Sequence, residues 1–280
     1  MATFDLKGPL TRKEKWDLRY LSMARNVASW SKDPSTQTGA VIVDKDNAIV
    51  SMGYNGFAPN VKDLKERYED RYNTKYEIII HCEENAIIFA DRHRLKEATL
   101  YTWPFMSCCR CAAKVIQAGI RRIVTKEAEF VDATKANDPN RWEHKFVLAQ
   151  TQFEEVGVRT DFYNKSYFMR RVVLESPYAG NVEKNVKYAK DCVKDCLSRG
   201  ETPFASHLIY TQDGVLDDTI HEERQLGMKA GFEWRYGAEA TVVYTDLGIS
   251  KGMECGIKEA EEMGHKIEYR KLYAERQLIR

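Results

Sequence analysis

The sequence predicts an α/β protein in two parts, a mixed sheet layered with helices and then a parallel sheet of its own. Two observations lead there. Apolar runs of strand length alternate with helix-period segments along the 280 residues. The pattern also restarts near residues 163–171, which marks a domain boundary, and beyond it strand and helix alternate regularly, as in a parallel sheet covered on both faces.

The elements follow in order. Thr11-Arg12-Lys13-Glu14 is a capping box that opens a helix, and Trp16, Tyr20, Met23, Ala24, Val27 and Trp30 recur behind it at helical spacing as a core stripe. Asp33-Pro34-Ser35 ends that helix in a turn. Residues 40–43 and 48–52 read as a hairpin joined by the polar turn 44–47. Gly53-Tyr54-Asn55-Gly56 leads into a loop, and residues 61–73 are charged enough to read as a solvated insertion. A helix over 83–92 follows, with His81 at its N-terminal edge, then a strand at 99–102, a helix at 108–118 and a strand at 122–125. The polar stretch 132–141, with Asp138-Pro139, is an excursion before a helix at 142–155 and a strand opening at Val156-Gly157-Val158. In the second part the reading is a strand at 172–174, a helix at 182–197, a strand around 208–210, a helix at 221–230, a strand at 240–245, a helix at 252–263 and a strand at 266–269.

Composition narrows the function. An apolar fraction of 43% with 30% charged residues fits a globular protein, and no apolar run approaches the roughly 18 residues a membrane helix needs. The start shows no basic segment leading into an apolar one, so a cytoplasmic location is expected. Seven cysteines, odd in number and unevenly clustered, do not form a disulfide framework; reduced thiols suit a metal site. A net charge of +1, with basic runs such as Arg170-Arg171 short or interleaved with acids, weighs against nucleic acid and favours a small-molecule substrate.

His81-Cys82-Glu83, followed about 25 residues later by Cys108-Cys109-Arg110-Cys111, has the signature of the zinc-dependent nucleobase deaminases. One imidazole and two thiolates leave the fourth tetrahedral position of Zn²⁺ open for a water whose pKa the metal lowers. Glu83, close but not a ligand, is then placed to shuttle that water's proton to the ring and the leaving amine. The competing reading makes these residues structural or part of a closed zinc knuckle. A fourth protein ligand is not evident for it, since Cys82 turns away from the face that His81 and Glu83 share and Cys109 lies inside the Cys-x-x-Cys loop. Zinc would sit between two helix N-termini, whose dipoles favour thiolate.

Further motifs surround this pair. Ser31-Lys32-Asp33-Pro34-Ser35-Thr36-Gln37-Thr38-Gly39-Ala40, Gly53-Tyr54-Asn55-Gly56-Phe57, Lys75-Tyr76 and Gln117-Ala118-Gly119-Ile120 resemble the deoxycytidylate deaminases, in the same order, over about residues 14–160. The resemblance implies a cytidine deaminase-like mixed-sheet sandwich, conversion of dCMP to dUMP, a homo-oligomer (often a hexamer), and dCTP and dTTP as effectors. It makes His81, Cys108 and Cys111 the zinc ligands, Glu83 the proton shuttle, Asn55 a sugar contact, and Ser31 and Lys32 the readers of the 5′-phosphate. Asn55 as a plain turn residue and Lys32 as a solvated lysine stand as the alternatives. Two departures from the family are Ser107, where proline is usual, and Cys82, where alanine is usual. Cys109 is placed to compete for the metal.

Residues 172–280 more loosely resemble the nucleoside 2-deoxyribosyltransferase-like proteins, a flavodoxin-like group that includes nucleotide N-glycosidases. The matching pieces are Ser176-Pro177-Tyr178-Ala179-Gly180, Pro203 with His207-Leu208, Arg224 with Gly227, and Ser250-Lys251-Gly252-Met253. The resemblance implies a nucleotide site at Ser176, Tyr178, Gly180, His207, Ser250, Gly252, Met253 and Glu254. Glu254, with Gly256 and Ala260 at the family's spacing, is the candidate nucleophile, although glutamate in a first helical turn also occurs for dipole reasons alone. An active glycosidase and a ligand-binding or assembly module both remain open. The expected organisation is a deaminase domain over 1–165 and a nucleotide-binding domain over 172–280. Alternatives for the whole are a bifunctional deaminase and N-glycosidase, an RNA or free-nucleoside deaminase, or a non-catalytic nucleotide sensor.

Overall fold

The Glu14 amide donates to Thr11 Oγ1 at 3.2 Å and the Thr11 amide to Glu14 Oε2 at 2.8 Å, closing the capping box that opens α1 (Arg12–Ala28). These contacts come from a computed structural model that describes residues 10–127, 142–164 and 167–273. The predicted excursion at 132–141 lies outside the described residues. The chain forms two units, Met1–Tyr167 and Phe168–Arg280. Among the described residues no helix is long and apolar enough to cross a membrane.

In the first unit β1 (Gly39–Val43) and β2 (Ile49–Tyr54) form the antiparallel hairpin, and β1 pairs antiparallel with β3 (Thr99–Trp103). β3 then pairs in parallel with β4 (Arg122–Lys126), and β4 with β5 (Arg159–Tyr163), giving a mixed sheet in the order β2-β1-β3-β4-β5. Glycine lets α1 lie directly on it: a Cβ on Gly39 would stand 2.1 Å from the Ala24 carbonyl oxygen. The helices are α2 (Lys65–Glu69), α3 (Tyr76–Ile78), α4 (Cys82–Ile88), α5 (Cys109–Ala118) and α6 (Trp142–Glu155). Ile42, Ala86, Leu100, Val115, Ile123 and Phe153 are fully enclosed in the core these layers share.

Several expectations change. Trp16 and Trp30 are exposed, at 40% and 51%, while Tyr20, Ala24 and Val27 carry the buried stripe. Trp16 instead stacks on Tyr20 beneath the Arg19 guanidinium, and Trp30 lies beyond the helix end, edge-on to Tyr54. The charged stretch 61–73 is not merely solvated, because it carries α2, whose Tyr68 is buried and stacks on Phe57 with ring centroids 4.6 Å apart. α4 stops at Ile88, and a 3₁₀ turn capped by Asp91 follows. Gly157, at φ +69°, turns the chain out of α6, so strand pairing begins at Arg159.

The second unit is an all-parallel sheet of β6 (Arg170–Glu175), β7 (Glu201–Phe204), β8 (Ala240–Tyr244) and β9 (Ile267–Arg270) in the order β7-β6-β8-β9. Its helices are α7 (Val182–Ser198), α8 (Ser206–Ile209), α9 (His221–Glu233) and α10 (Lys251–Glu262). Alternation along the strands covers both faces. Val242 and Tyr244 cluster with Tyr188, Cys192 and Cys196 of α7, while Val243 clusters with Met253 and Ile257 of α10. The strand expected around 208–210 is the short helix α8, and the strand lies earlier, at β7. Pro203 is compatible with an edge strand, where a missing N–H costs no ladder bond, and Glu201 is tied to Arg170 and Arg270 by ion pairs. The connections diverge after β6, one side leading to β7 and the other to β8. The crevice beyond the carboxyl ends of β6 and β8 is therefore the topological switch point where ligands bind in open α/β sheets.

Candidate active site

α4 reaches the sheet through a glycine. A Cβ on Gly53 would lie 2.4 Å from the Ala86 nitrogen and 2.5 Å from the Cys82 carbonyl oxygen, so only glycine lets α4 pack on β2 this closely. His81 is the N-cap of α4 and Glu83 lies in its first turn. From β3 the chain passes through a cis Trp103–Pro104 bond and reaches Cys108, the N-cap of α5, with Cys111 in that helix's first turn. His81 Nδ1 lies 3.5 Å from Cys108 Sγ and 3.4 Å from Cys111 Sγ, and the three ligand atoms lie within 4.8 Å of one another. Tetrahedral Zn²⁺ at ordinary bond lengths sets its N and S ligands about 3.6 Å apart, so the donor set fits this metal in both chemistry and spacing. Cys109 stands outside the cluster and packs partly against the core.

Local electrostatics favour the same use. A hydrogen bond from Cys111, with His81 adding to it, pulls the Cys108 thiol well below its ordinary value while Cys111 is pushed up, so the pair favours a thiolate beside His81. Cys82 is buried, and its thiol donates to Glu83 Oε2 at 3.2 Å. Burial and the Glu83 carboxylate push the Cys82 thiol well above its ordinary value, so it remains a donor. The Ser107 hydroxyl, in place of the family's usual proline, is fully buried and has no hydrogen-bond partner among the described residues.

His81, Glu83, Cys108 and Asn55 open onto one cavity of about 400 Å³. The Asn55 amide is heavily engaged: Nδ2 donates to Asp33 Oδ2 and to the Thr36 carbonyl, and Oδ1 accepts from the Thr38 amide at 2.7 Å. One lone pair on Oδ1 remains for a ligand hydroxyl. Ser31 and Lys32 do not line the cavity. The Ser31 hydroxyl is buried and donates to the Asn55 carbonyl at 2.7 Å, and Lys32 extends into solvent to pair with Asp63 at 2.8 Å. The cations that do line the cavity are Arg71, Lys145 and Lys75, the last occupied by Asp33 and Ser35. Tyr76, Phe105, Trp142 and Phe146 supply an aromatic wall, with the Trp142 ring centroid 6.3 Å from that of His81. Sequence reasoning missed Arg71, Lys145, Phe105, Trp142 and Phe146. Their shared signal, an aromatic or cation near the start of a helix, is weak.

In the second unit the predicted residues come together only in part. Ser176 Oγ lies 2.8 Å from His207 Nε2, and the Tyr178 ring is 6.4 Å from the His207 ring. Burial pushes His207 down to about 4, so it is neutral. Tyr178 and Gly180 border an open groove with residues 211–219. Ser250 caps α10, Gly252 lies beside the Arg224 guanidinium, and Met253 is buried in the core. Glu254 is exposed on the first turn of α10 and does not line that groove.

A mixed α/β sheet that brings one histidine and two cysteines together at two helix N-termini, beside a buried glutamate in a nucleobase-sized cavity, defines a zinc-dependent hydrolytic deaminase. Residues 14–127 match the family model of the cytidine and deoxycytidylate deaminase zinc-binding region, and residues 170–270 that of a domain of unknown function (DUF7768). The chain is 42% identical over 146 residues to an uncharacterized deaminase in the luxG 3′ region of Aliivibrio fischeri, spanning 51% of this chain and 90% of that protein. It is 33% identical over 126 residues to the deoxycytidylate deaminase of Homo sapiens, spanning 44% and 70%, and 36% identical over 139 residues to a probable deoxycytidylate deaminase of Drosophila melanogaster, spanning 45% and 68%. The chain belongs to the deoxycytidylate deaminase family of the zinc-dependent cytidine deaminase superfamily.

Proposed function

We propose that the first unit deaminates dCMP to dUMP, with His81, Cys108 and Cys111 holding Zn²⁺ and Glu83 moving the proton. The observation that carries this reading is the opening of His81, Glu83 and Cys108 onto one cavity that Arg71 and Lys145 also line. When bound, Zn²⁺ supplies an acidified water as nucleophile. Glu83 is placed to carry one proton from the attacking water to N3 as the oxygen bonds to C4, and then the second proton from the new C4 hydroxyl to the amine as the C4–N bond breaks and the C4 carbonyl forms. The reaction consumes one water and releases one ammonia. Cys82 holds the Glu83 carboxylate, the aromatic wall excludes water from the ring, and Asn55 is left with one acceptor site for the sugar. Arg71 and Lys145, rather than Ser31 and Lys32, are the phosphate readers in this reading.

The second unit, in the same reading, binds a nucleotide at the switch point of its sheet, where Ser176 meets His207. Homo-oligomeric assembly, control by dCTP and dTTP and a cytoplasmic location belong to the reading as what the family resemblance implies. The test is kcat/KM of the purified chain for dCMP and for deoxycytidine. A strong preference for dCMP is expected, because phosphate binding positions the ring. Equal turnover would replace this reading with a nucleoside deaminase.

A further inference from the structure

Trp142 opens α6, apart from the two helices that carry the metal grouping, yet its ring centroid is 6.3 Å from that of His81. That is contact distance for two aromatic rings, so a base at the metal end lies alongside the Trp142 ring rather than between the two. Trp142 is 41% exposed and lines the cavity, which leaves apolar area on the wall for a flat ligand.

Neighbouring rings hold this one in place. Phe146, one helical turn on, stacks against it with centroids 6.0 Å apart and planes inclined by 28°, and Tyr76 meets it edge-on at 5.9 Å. Phe105 backs Phe146 in turn, at 6.0 Å. A wall set by mutual ring contacts has its shape before a ligand arrives, so little ordering is left to do on binding. Lys145 Nζ stands 5.2 Å from the Trp142 ring centroid and 5.6 Å from that of Tyr76, within cation–π reach of both. Trp142 thus touches a ligand of the metal and also the cation assigned to the phosphate. A nucleotide that reaches from one to the other passes the Trp142 ring with its base.

We propose that Trp142 is the platform on which the pyrimidine ring of the substrate stacks, and that through it the site selects a flat base joined to a phosphate. The proposal rests on the reading of the first unit as a dCMP deaminase. Stacking on an indole face recognises a planar π system and adds affinity for the nucleotide without supplying a group to the reaction. Trp142 is therefore a binding residue: its effect falls on KM, while proton movement stays with Glu83.

The experiment measures KM and kcat for dCMP in the zinc-loaded full chain, beside its affinity for two ligands that are not deaminated, dUMP and 2-deoxyribose 5-phosphate. Trp142→Ala should raise KM for dCMP and weaken dUMP by about tenfold or more, the scale of a lost base–aromatic stack, and bind 2-deoxyribose 5-phosphate as the wild type does. Trp142→Phe, which keeps a flat ring, should recover most of the lost affinity, and Trp142→Leu, apolar but not flat, should not. Equal losses for dUMP and 2-deoxyribose 5-phosphate would overturn the proposal, because the ring would then act only by holding Lys145. A wild-type KM in Trp142→Ala, or full recovery by Trp142→Leu, would overturn it as well. No turnover of dCMP by the wild type would instead overturn the dCMP reading beneath it.

Discussion

Lys75 Nζ lies 2.7 Å from Asp33 Oδ2, and the two side chains are only 5% and 1% exposed. The same ammonium donates to Ser35 Oγ at 2.6 Å, while Asp33 Oδ1 accepts from the Ser35 and Thr36 amides. Asn55 ties the other side of this segment through Asp33, Thr36 and Thr38. The loop that walls the cavity is therefore held by a buried ion pair and an amide rather than by packing. Removing one partner of such a pair strands a buried charge and costs about 3–5 kcal/mol. Lys75→Met should lower the unfolding midpoint of the first unit in denaturant and raise KM for dCMP. A midpoint and KM like those of wild type would mean the pair does not organise the loop.

Removing either thiolate leaves two protein ligands for the metal. Cys108→Ala and Cys111→Ala should each lose bound zinc and all turnover, whereas Cys109→Ala, outside the cluster, should retain both. Elemental analysis of the purified variants checks this.

The two pairs of candidate phosphate readers separate by kinetics. Arg71→Ala and Lys145→Ala should lower kcat/KM for dCMP by about tenfold or more, a charge-assisted contact of about 1.5–3 kcal/mol, and leave deoxycytidine turnover unchanged. Lys32→Ala, which removes only an exposed pair with Asp63, should change neither substrate.

Acid should weaken the second unit through Glu201 and Glu268. Arg170 first, then Arg270, hold Glu268 far below the usual carboxylate range; burial acts to raise Glu201, but Arg270 and Arg170 overcome it and the net shift is downward. A carboxyl whose folded pKa is depressed contributes stability above its unfolded pKa and loses it as pH falls through the folded value. Thermal unfolding of the chain should hence show this contribution intact above about pH 5 and declining below about pH 4, near the ordinary glutamate pKa. Arg270→Met should flatten that decline.

The zinc grouping is legible in the sequence because its spacing is local. Two N-cap positions, His81 and Cys108, each begin a short helix, and the periodicity of those helices is visible without tertiary information. The cavity wall is not legible that way. Arg71 and Tyr76 come from one segment and Trp142, Lys145 and Phe146 from another, and neither carries a pattern that distinguishes it from a solvated helix. The misplaced strand of the second sheet has a similar origin. Leu208, Ile209 and Tyr210 have strand-like side chains but form α8 and its cap, while Pro203 conceals an edge strand whose pairing only the neighbouring β6 reveals. Glu175 reads in sequence as a strand's polar end, and its enclosure depends on Arg235 and Gly256, 60 and 81 positions away.

The most direct test is ammonia release from dCMP by the zinc-loaded chain and by its Glu83→Gln variant, with metal content measured on both. The wild type should release one ammonia per dUMP formed. The variant should keep its zinc and its affinity for dCMP yet lose kcat by about 100-fold or more, since proton transfer is the role of Glu83. Wild-type turnover in the variant, or no ammonia from dCMP with the zinc-loaded wild type, would contradict the account.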